Sequence, residues 1–401
     1  MWGFSVLNLN IEWQRFSLIA LILVLMGVDY RQGRLTWPPL RQMRPALVFF
    51  VFFILLCLFA AILLLIDERS LRTTRNWFTF CLIGLGVVHY LGWKGLGLSL
   101  IGLCAGVVVS TLLWLLYIHY PEYSLLTPVN IHQHDRLALY MDHPNNLGTM
   151  MGWGCCLWFF IRCGKQRIVS PGLDWLLLLM VAVPLCLSWS RSNLFATVGT
   201  ALFIAIAVPR FSLKKLLLTA ASVAAALVIV NQMPLPEQPQ LRRLVSAMQS
   251  PLEETTIKSR LPIWEIALHG YKQSPVYGNG LQSYTRLHRE YLKKHRAELE
   301  KKYPIVETDK HRAHSLVLGV MSDMGSIGLI LLIGMYAAGV MAGYRLPAPY
   351  KIGLAGLLFI FVVGLAESVL SETAAAMVLF TSCGGMLAGY LRRPEPEKTG
   401  R

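Results

Sequence analysis

Apolar segments follow one another along most of the chain, at 14–30, 45–66, 77–93, 95–118, 147–163, 172–189, 191–208, 213–230, 314–343, 350–366 and 372–391. As helices of about 20 residues they match the ~30 Å of hydrocarbon in a bilayer. The close pairs at 77–118 and 172–208 admit other divisions. The stretch 16–28 has no basic segment before it and no small-residue cleavage site, so it reads as a retained helix rather than a leader. A shortened extra helix in the first residues would add one span. A single long polar stretch, 231–313, interrupts the series. The pattern predicts an all-α polytopic membrane protein of about 11–12 transmembrane helices with one long helical outer loop. Three parts follow: transmembrane helices over 1–230, a loop domain over 231–313, and transmembrane helices with a tail over 314–401.

Composition agrees, with 55% hydrophobic residues and a positive mean hydropathy. Lys and Arg orient the spans, because short cytoplasmic loops collect positive charge. Arg31, Arg34, Arg41 and Arg44 mark one such loop. Arg162, Lys165 and Arg167 mark a second; Arg210, Lys214 and Lys215 a third; Arg392 and Arg393 the tail. All fall on one side if the spans alternate. The 231–313 loop then faces outward, into the periplasm of a Gram-negative cell, and the chain sits in the inner membrane. The basic loop at 68–75 dissents.

The formal net charge is +15, much of it in the outer loop. That suits anionic membrane lipids and a phosphate-bearing substrate, and no nucleic-acid motif is present. All eight cysteines lie in or at the ends of spans, so the outer loops hold no disulfide staple. Neither a Cys-x-x-Cys nor a zinc-like spacing occurs. His132-Gln133-His134-Asp135 has metal-ligand residue types, but histidine pairs in polar loops are common. No metal and no cofactor is expected.

Arg191, in Ser190-Arg191-Ser192-Asn193, falls where a helix should begin at the outer surface. Free amides and the dipole at a helix N-terminus favour anions, and a guanidinium adds a fork that fits phosphate oxygens. The bland alternative is an interfacial anchor. Ser259-Arg260-Leu261-Pro262 repeats the setting, with Ser259 as N-cap. Ile263, Trp264, Ala267, Leu268 and Tyr271 fall on the packing face of the helix that follows. The turn Pro275-Val276-Tyr277-Gly278-Asn279-Gly280 leads into a basic amphipathic segment in which Leu287, Tyr291, His295, Leu299 and Tyr303 recur every fourth residue. Such a helix lies on a membrane or covers a cleft. His314 heads the next apolar segment and is a candidate base, with His311 its competitor. Asp323 should be paired or neutral. Glu367 and Glu372 flank the last outer turn and would hold arginines in place. In the earlier loop, Asn145 or Asn146 is expected to cap the helix starting there.

Together, Ser190-Arg191-Ser192, Ser259-Arg260 with Trp264, Pro275 before Gly278-Asn279-Gly280, and His314 followed by Asp323-Met324-Gly325 and Gly328 resemble the O-antigen ligase and O-antigen polymerase superfamily of bacterial membrane glycosyltransferases. The resemblance spans roughly 140–385. The usual His-Asn of that family reads His314-Ser315 here, and its usual glutamate near the glycine is Asp323. The resemblance implies a GT-C-like helical bundle whose donor is a glycan on undecaprenyl diphosphate, with Arg191 and Arg260 on the diphosphate and His314 at the acceptor. It also implies metal-independent, inverting transfer, in keeping with the absence of an Asp-x-Asp motif.

Within that group a very basic outer loop favours ligation onto phosphorylated lipid A–core. Glycan polymerisation and transfer to a protein hydroxyl use the same donor. A lipid-glycan transporter is the contrasting class, but it should show repeats and broken helices lining a mid-membrane path. The polar groups here gather on one face instead.

Overall fold

The computed structural model describes residues 12–32, 40–63, 69–119, 132–133, 136–137, 143–164, 166, 169–207, 258–281, 283–303, 312–367, 370 and 373–391. They form helices α1 (Glu12–Arg31), α2 (Leu40–Ile62), α3 (Arg69–His119), α4 (Pro144–Cys163), α5 (Pro171–Leu187) and α6 (Arg191–Ala207). The series continues with α7 (Arg260–Gln273), α8 (Tyr284–Lys302), α9 (Leu316–Tyr344), α10 (Ile352–Gly364) and α11 (Thr373–Leu391). A two-residue pairing, His132–Gln133 with Arg136–Leu137, is the only extended element among the described residues. Ten of the eleven expected spans correspond to described helices; the 213–230 span lies outside the described residues, as do the 230/231 boundary, His134, Asp135, His311 and Glu372.

Four helices are long and apolar enough to cross a membrane by themselves: Arg44–Ile62, Arg75–Leu113, Leu316–Tyr344 and Ala374–Leu391. The second is two spans. At Gly92 the backbone takes φ 51° and ψ −126°, and the chain turns back so that a Cβ on Gly95 would meet the Val87 carbonyl oxygen at 2.8 Å. Three further apolar helices are shorter, and α10 has only 13 residues.

The bundle is built around α11, which is buried almost throughout. Its residues are small where it crosses α3. Cβ atoms on Gly84 and Gly384 would run into the backbones of Thr381 and Cys81 respectively. Small residues allow this approach where hydrocarbon offers no hydrophobic drive for helices to associate. Aromatic rings fill the space towards α2, with Trp77 stacked 5.2 Å from Phe380 and Phe53 5.6 Å from it.

The ends of the bundle differ. At one end lie the Gly92 turn, with Trp93 packed 5.3 Å from Phe160, and an Arg162–Asp174 ion pair of 3.1 Å. The other end carries α7 and α8, stacked through Ile263, Ile266, Ala267, Tyr284, Leu292 and Leu299.

This packing corrects several expectations. Leu268 is exposed, and the buried face of α7 centres on Ile263, Ile266, Ala267 and Gly270. On α8 the buried stripe is Tyr284, Leu287, His288, Leu292 and Leu299. A strict every-fourth spacing advances about 40° per step around a helix of 3.6 residues per turn, so such a series drifts off the buried face. Because that face packs on α7, α8 does not lay its apolar side on a membrane. Ser259 is itself in helical conformation and its side chain makes no cap bond. The cap of α4 is His143, whose Nδ1 accepts from the Asn145 amide at 3.1 Å, leaving Asn145 and Asn146 inside the first turn.

α9 is broken at Gly325, where φ is 63° and ψ is −161°. The 275–280 turn fills the break. Its Asn279 and Gly280 amides donate to the Ser322 and Asp323 carbonyls at 3.1 and 2.9 Å, and the Ser326 amide donates to the Pro275 carbonyl at 2.8 Å. Asn279 Nδ2 reaches the Gly270 and Ser322 carbonyls at 2.8 and 2.9 Å. Asp323 is paired as expected, accepting from Ser283 Oγ at 3.0 Å. The outer helices are thus stitched to a transmembrane helix through backbone groups that the break sets free.

Candidate active site

The first half of the broken α9 returns its N-terminus to the bundle end just past α10, where Glu367 sits. Glu367 is 5% exposed and three donors converge on it. His314 Nδ1 lies 3.0 Å from Oε2. Asn145 Nδ2 donates to Oε1 at 2.6 Å, and Arg260 Nη2 approaches the same oxygen at 3.4 Å. Arg191 stands on the adjoining helix end. It is the first residue of α6, and that helix end is tied in through Asn193, whose Nδ2 donates to the Asn145 carbonyl at 3.0 Å and to Ser190 Oγ at 2.7 Å. Thr149 Oγ1 closes the network by donating to Asn193 Oδ1 at 3.0 Å.

These bonds gather the N-termini of four helices, α4, α6, α7 and α9, around one carboxylate. Each presents the positive end of a helix dipole to the site. Burial by itself would raise the Glu367 pKa. The His314 hydrogen bond, then the His314, Arg260 and His143 charges, outweigh that and bring it down to about 2. The group is therefore an anion at neutral pH and only accepts hydrogen bonds. It follows that His314 Nδ1 carries the proton of that hydrogen bond, so whenever the ring holds a single proton its lone pair is on Nε2. His314 has φ 47°, a left-handed conformation that costs on the order of 1–3 kcal/mol in a non-glycine residue. Ser315 follows it as the N-cap of α9, its Oγ accepting from the Leu318 amide at 3.4 Å.

Of the site residues expected from the sequence, Arg260 and His314 meet on Glu367 and Arg191 lies on the adjoining helix end. Sequence reading assigned Glu367 an arginine-holding role, in line with the Arg260 pair, but missed its bond to His314. Asn145, Asn193 and His143 were also missed as site residues. The signal for Glu367 was slight: a lone carboxylate following a 13-residue apolar helix. No group of three or more His, Cys, Asp or Glu residues suited to a metal ion occurs among the described residues.

Fold and site together define a multi-pass helical membrane protein with an anion-attracting centre at one end of its bundle. Residues 175–333 match the family model described as O-antigen ligase, which supports a relationship to the O-antigen ligase/polymerase superfamily. The match supports, in general terms, a glycan-transferring enzyme. The matched segment contains Arg191, Arg260 and His314 and leaves out Asn145 and Glu367. No curated protein matches the chain.

Proposed function

We propose that the protein transfers a glycan from undecaprenyl diphosphate to lipid A–core at the periplasmic face of the bacterial inner membrane, as an O-antigen ligase of lipopolysaccharide biosynthesis. The observation that carries this reading is the convergence of four helix N-termini, Arg260 and the Arg191-bearing turn on a site that also holds an oriented imidazole. The leaving group of such a donor is a diphosphate, and charge grows on it as the glycosidic bond breaks. Fixed guanidiniums and helix ends meet that charge without reorganising. The acceptor hydroxyl attacks the anomeric carbon from the opposite side, and its proton passes to His314 Nε2. The bond to the diphosphate breaks with its electron pair on the leaving oxygen, so a single displacement inverts the centre.

Orientation follows from charge. Lys94, Arg162, Arg345 and Lys351 belong to the end of the bundle opposite Glu367, which the positive-inside rule assigns to the cytoplasm. The acceptor choice rests on α8, whose Arg289, Lys293, Lys294 and Lys301 are exposed and suit a phosphorylated core.

Incubating purified protein with undecaprenyl-diphosphate glycan and lipid A–core, with and without chelator, tests the proposal. Product on the core in both arms is expected, and Arg191→Ala, Arg260→Ala and His314→Ala should each lower transfer by 10²-fold or more while remaining membrane-inserted. Elongated lipid-linked glycan without core product would make the enzyme a polymerase instead.

A further inference from the structure

Glu367 makes more bonds than a structural arginine partner needs, and they are of unequal strength. Its contact with His314 is a normal hydrogen bond at 3.0 Å, whereas Arg260 stands off at 3.4 Å. The Arg260 side chain is 18% exposed and the Glu367 side chain 6%. The arginine is therefore the solvent-facing member of the pair and the carboxylate the buried one. A dianionic diphosphate entering there offers Arg260 a stronger, bidentate partner than one shared carboxylate oxygen. The charged and titratable groups facing Glu367 are His314 ahead of α9, Arg260 on α7 and His143 ahead of α4, with neutral Asn145 completing the shell.

We propose that Glu367 is the positioning residue of the transfer site, fixing the His314 tautomer and pairing with Arg260 until a donor diphosphate draws the arginine away, which leaves the carboxylate to strengthen His314 as a base. The inference rests on the function proposed above and adds an order of events to it. Before donor arrives, Arg260 offsets part of the carboxylate's charge, and the imidazole feels a weakened anion. Once Arg260 turns to the diphosphate, an unshielded negative charge lies 3.0 Å from Nδ1 and favours the imidazolium that forms when the acceptor proton reaches Nε2. No proton leaves Nδ1 in the process; Glu367 stays ionised throughout. Base strength is thereby coupled to occupancy of the donor subsite, and a hydroxyl is activated only when there is something for it to attack.

Glu367→Gln separates positioning from scaffolding. The amide keeps the shape but offers one acceptor oxygen to three donors and has no charge. In transfer assays kcat should fall about 10- to 100-fold, the acidic limb of the pH–rate profile should move to lower pH, and donor KM should not rise, because Arg260 no longer has to leave a carboxylate. Glu367→Asp, which retains the charge, should return the limb towards its original position. A uniform loss at every pH, or near-normal kcat in Glu367→Gln, would overturn the proposal. An activity-free arm keeps it distinct from the assigned reaction. In 15N-histidine-labelled full-length protein, with the His314 signal identified by its absence in His314→Ala, inorganic pyrophosphate should raise the His314 titration midpoint. The same addition should leave that midpoint unmoved in Arg260→Ala and in Glu367→Gln. A wild-type midpoint indifferent to pyrophosphate refutes the coupling. A midpoint that responds in protein unable to transfer any glycan refutes the assigned reaction alone.

Discussion

At the residue scale, Glu367 carries a charge where burial alone would remove it. Its pKa of about 2 in the folded protein lies below the ordinary 4.5, so the folded state holds its proton less tightly than the unfolded chain. Its contribution to stability is complete above about pH 4.5 and disappears as pH falls towards 2; one unit corresponds to about 1.4 kcal/mol, which puts the contribution on the order of 3 kcal/mol. Thermal unfolding in detergent between pH 5 and pH 2.5 should show this slope, and Glu367→Gln should flatten it. Arg260 and His314 were legible because helix-start arginines and a histidine heading an apolar span stand out in one dimension. Glu367, Asn145 and Asn193 were not, since their meaning arises from bonds spanning 222 positions from Asn145 to Glu367 and 48 from Asn145 to Asn193. No local pattern records such distances.

At the scale of elements, the break in α9 decides where His314 stands. Hydrophobic periodicity gives a continuous span from 314 to 343 and is blind to a reversal of one residue's dihedrals. The flanking glycines in Asp323-Met324-Gly325 and Gly278-Asn279-Gly280 were visible, but their mutual contact was not. A Cβ on Gly325 would run into the Val276 backbone, and its dihedrals belong to a region that essentially only glycine enters, at a cost of roughly 1–3 kcal/mol for other residues. Gly325→Ala should therefore lower the unfolding temperature and expel the 275–280 turn. Limited proteolysis, with faster cleavage between α7 and α8 than in wild type, is the measurement. Gly102→Ala, where a Cβ meets open space, serves as the control.

At the scale of the whole molecule, the succession of apolar segments conveyed the all-α polytopic architecture and most spans, including the division of α3 near Gly92. What it could not convey is which helix lies at the centre, because lipid and protein interior are equally apolar; α11 reads like its neighbours yet is the most buried. The proposed orientation yields a further expectation. In a cysteine-free background, Tyr277→Cys should react with a membrane-impermeant maleimide in intact spheroplasts, and Lys94→Cys only after permeabilisation; the reverse pattern would invert the topology. The length of α10 then takes on weight. Its 13 residues rise about 20 Å against ~30 Å of hydrocarbon. In the proposed orientation, with Lys351 at the cytoplasmic end, so short a helix would hold Glu367 nearer to that side than a full-length span would. On the proposed function, a lipid-borne pyrophosphate bound there would be drawn beneath the plane of its neighbours, and the acceptor would have to descend to meet it. Bilayer thickness would then be a kinetic variable of the proposed transfer, with thicker membranes lengthening that descent for both substrates.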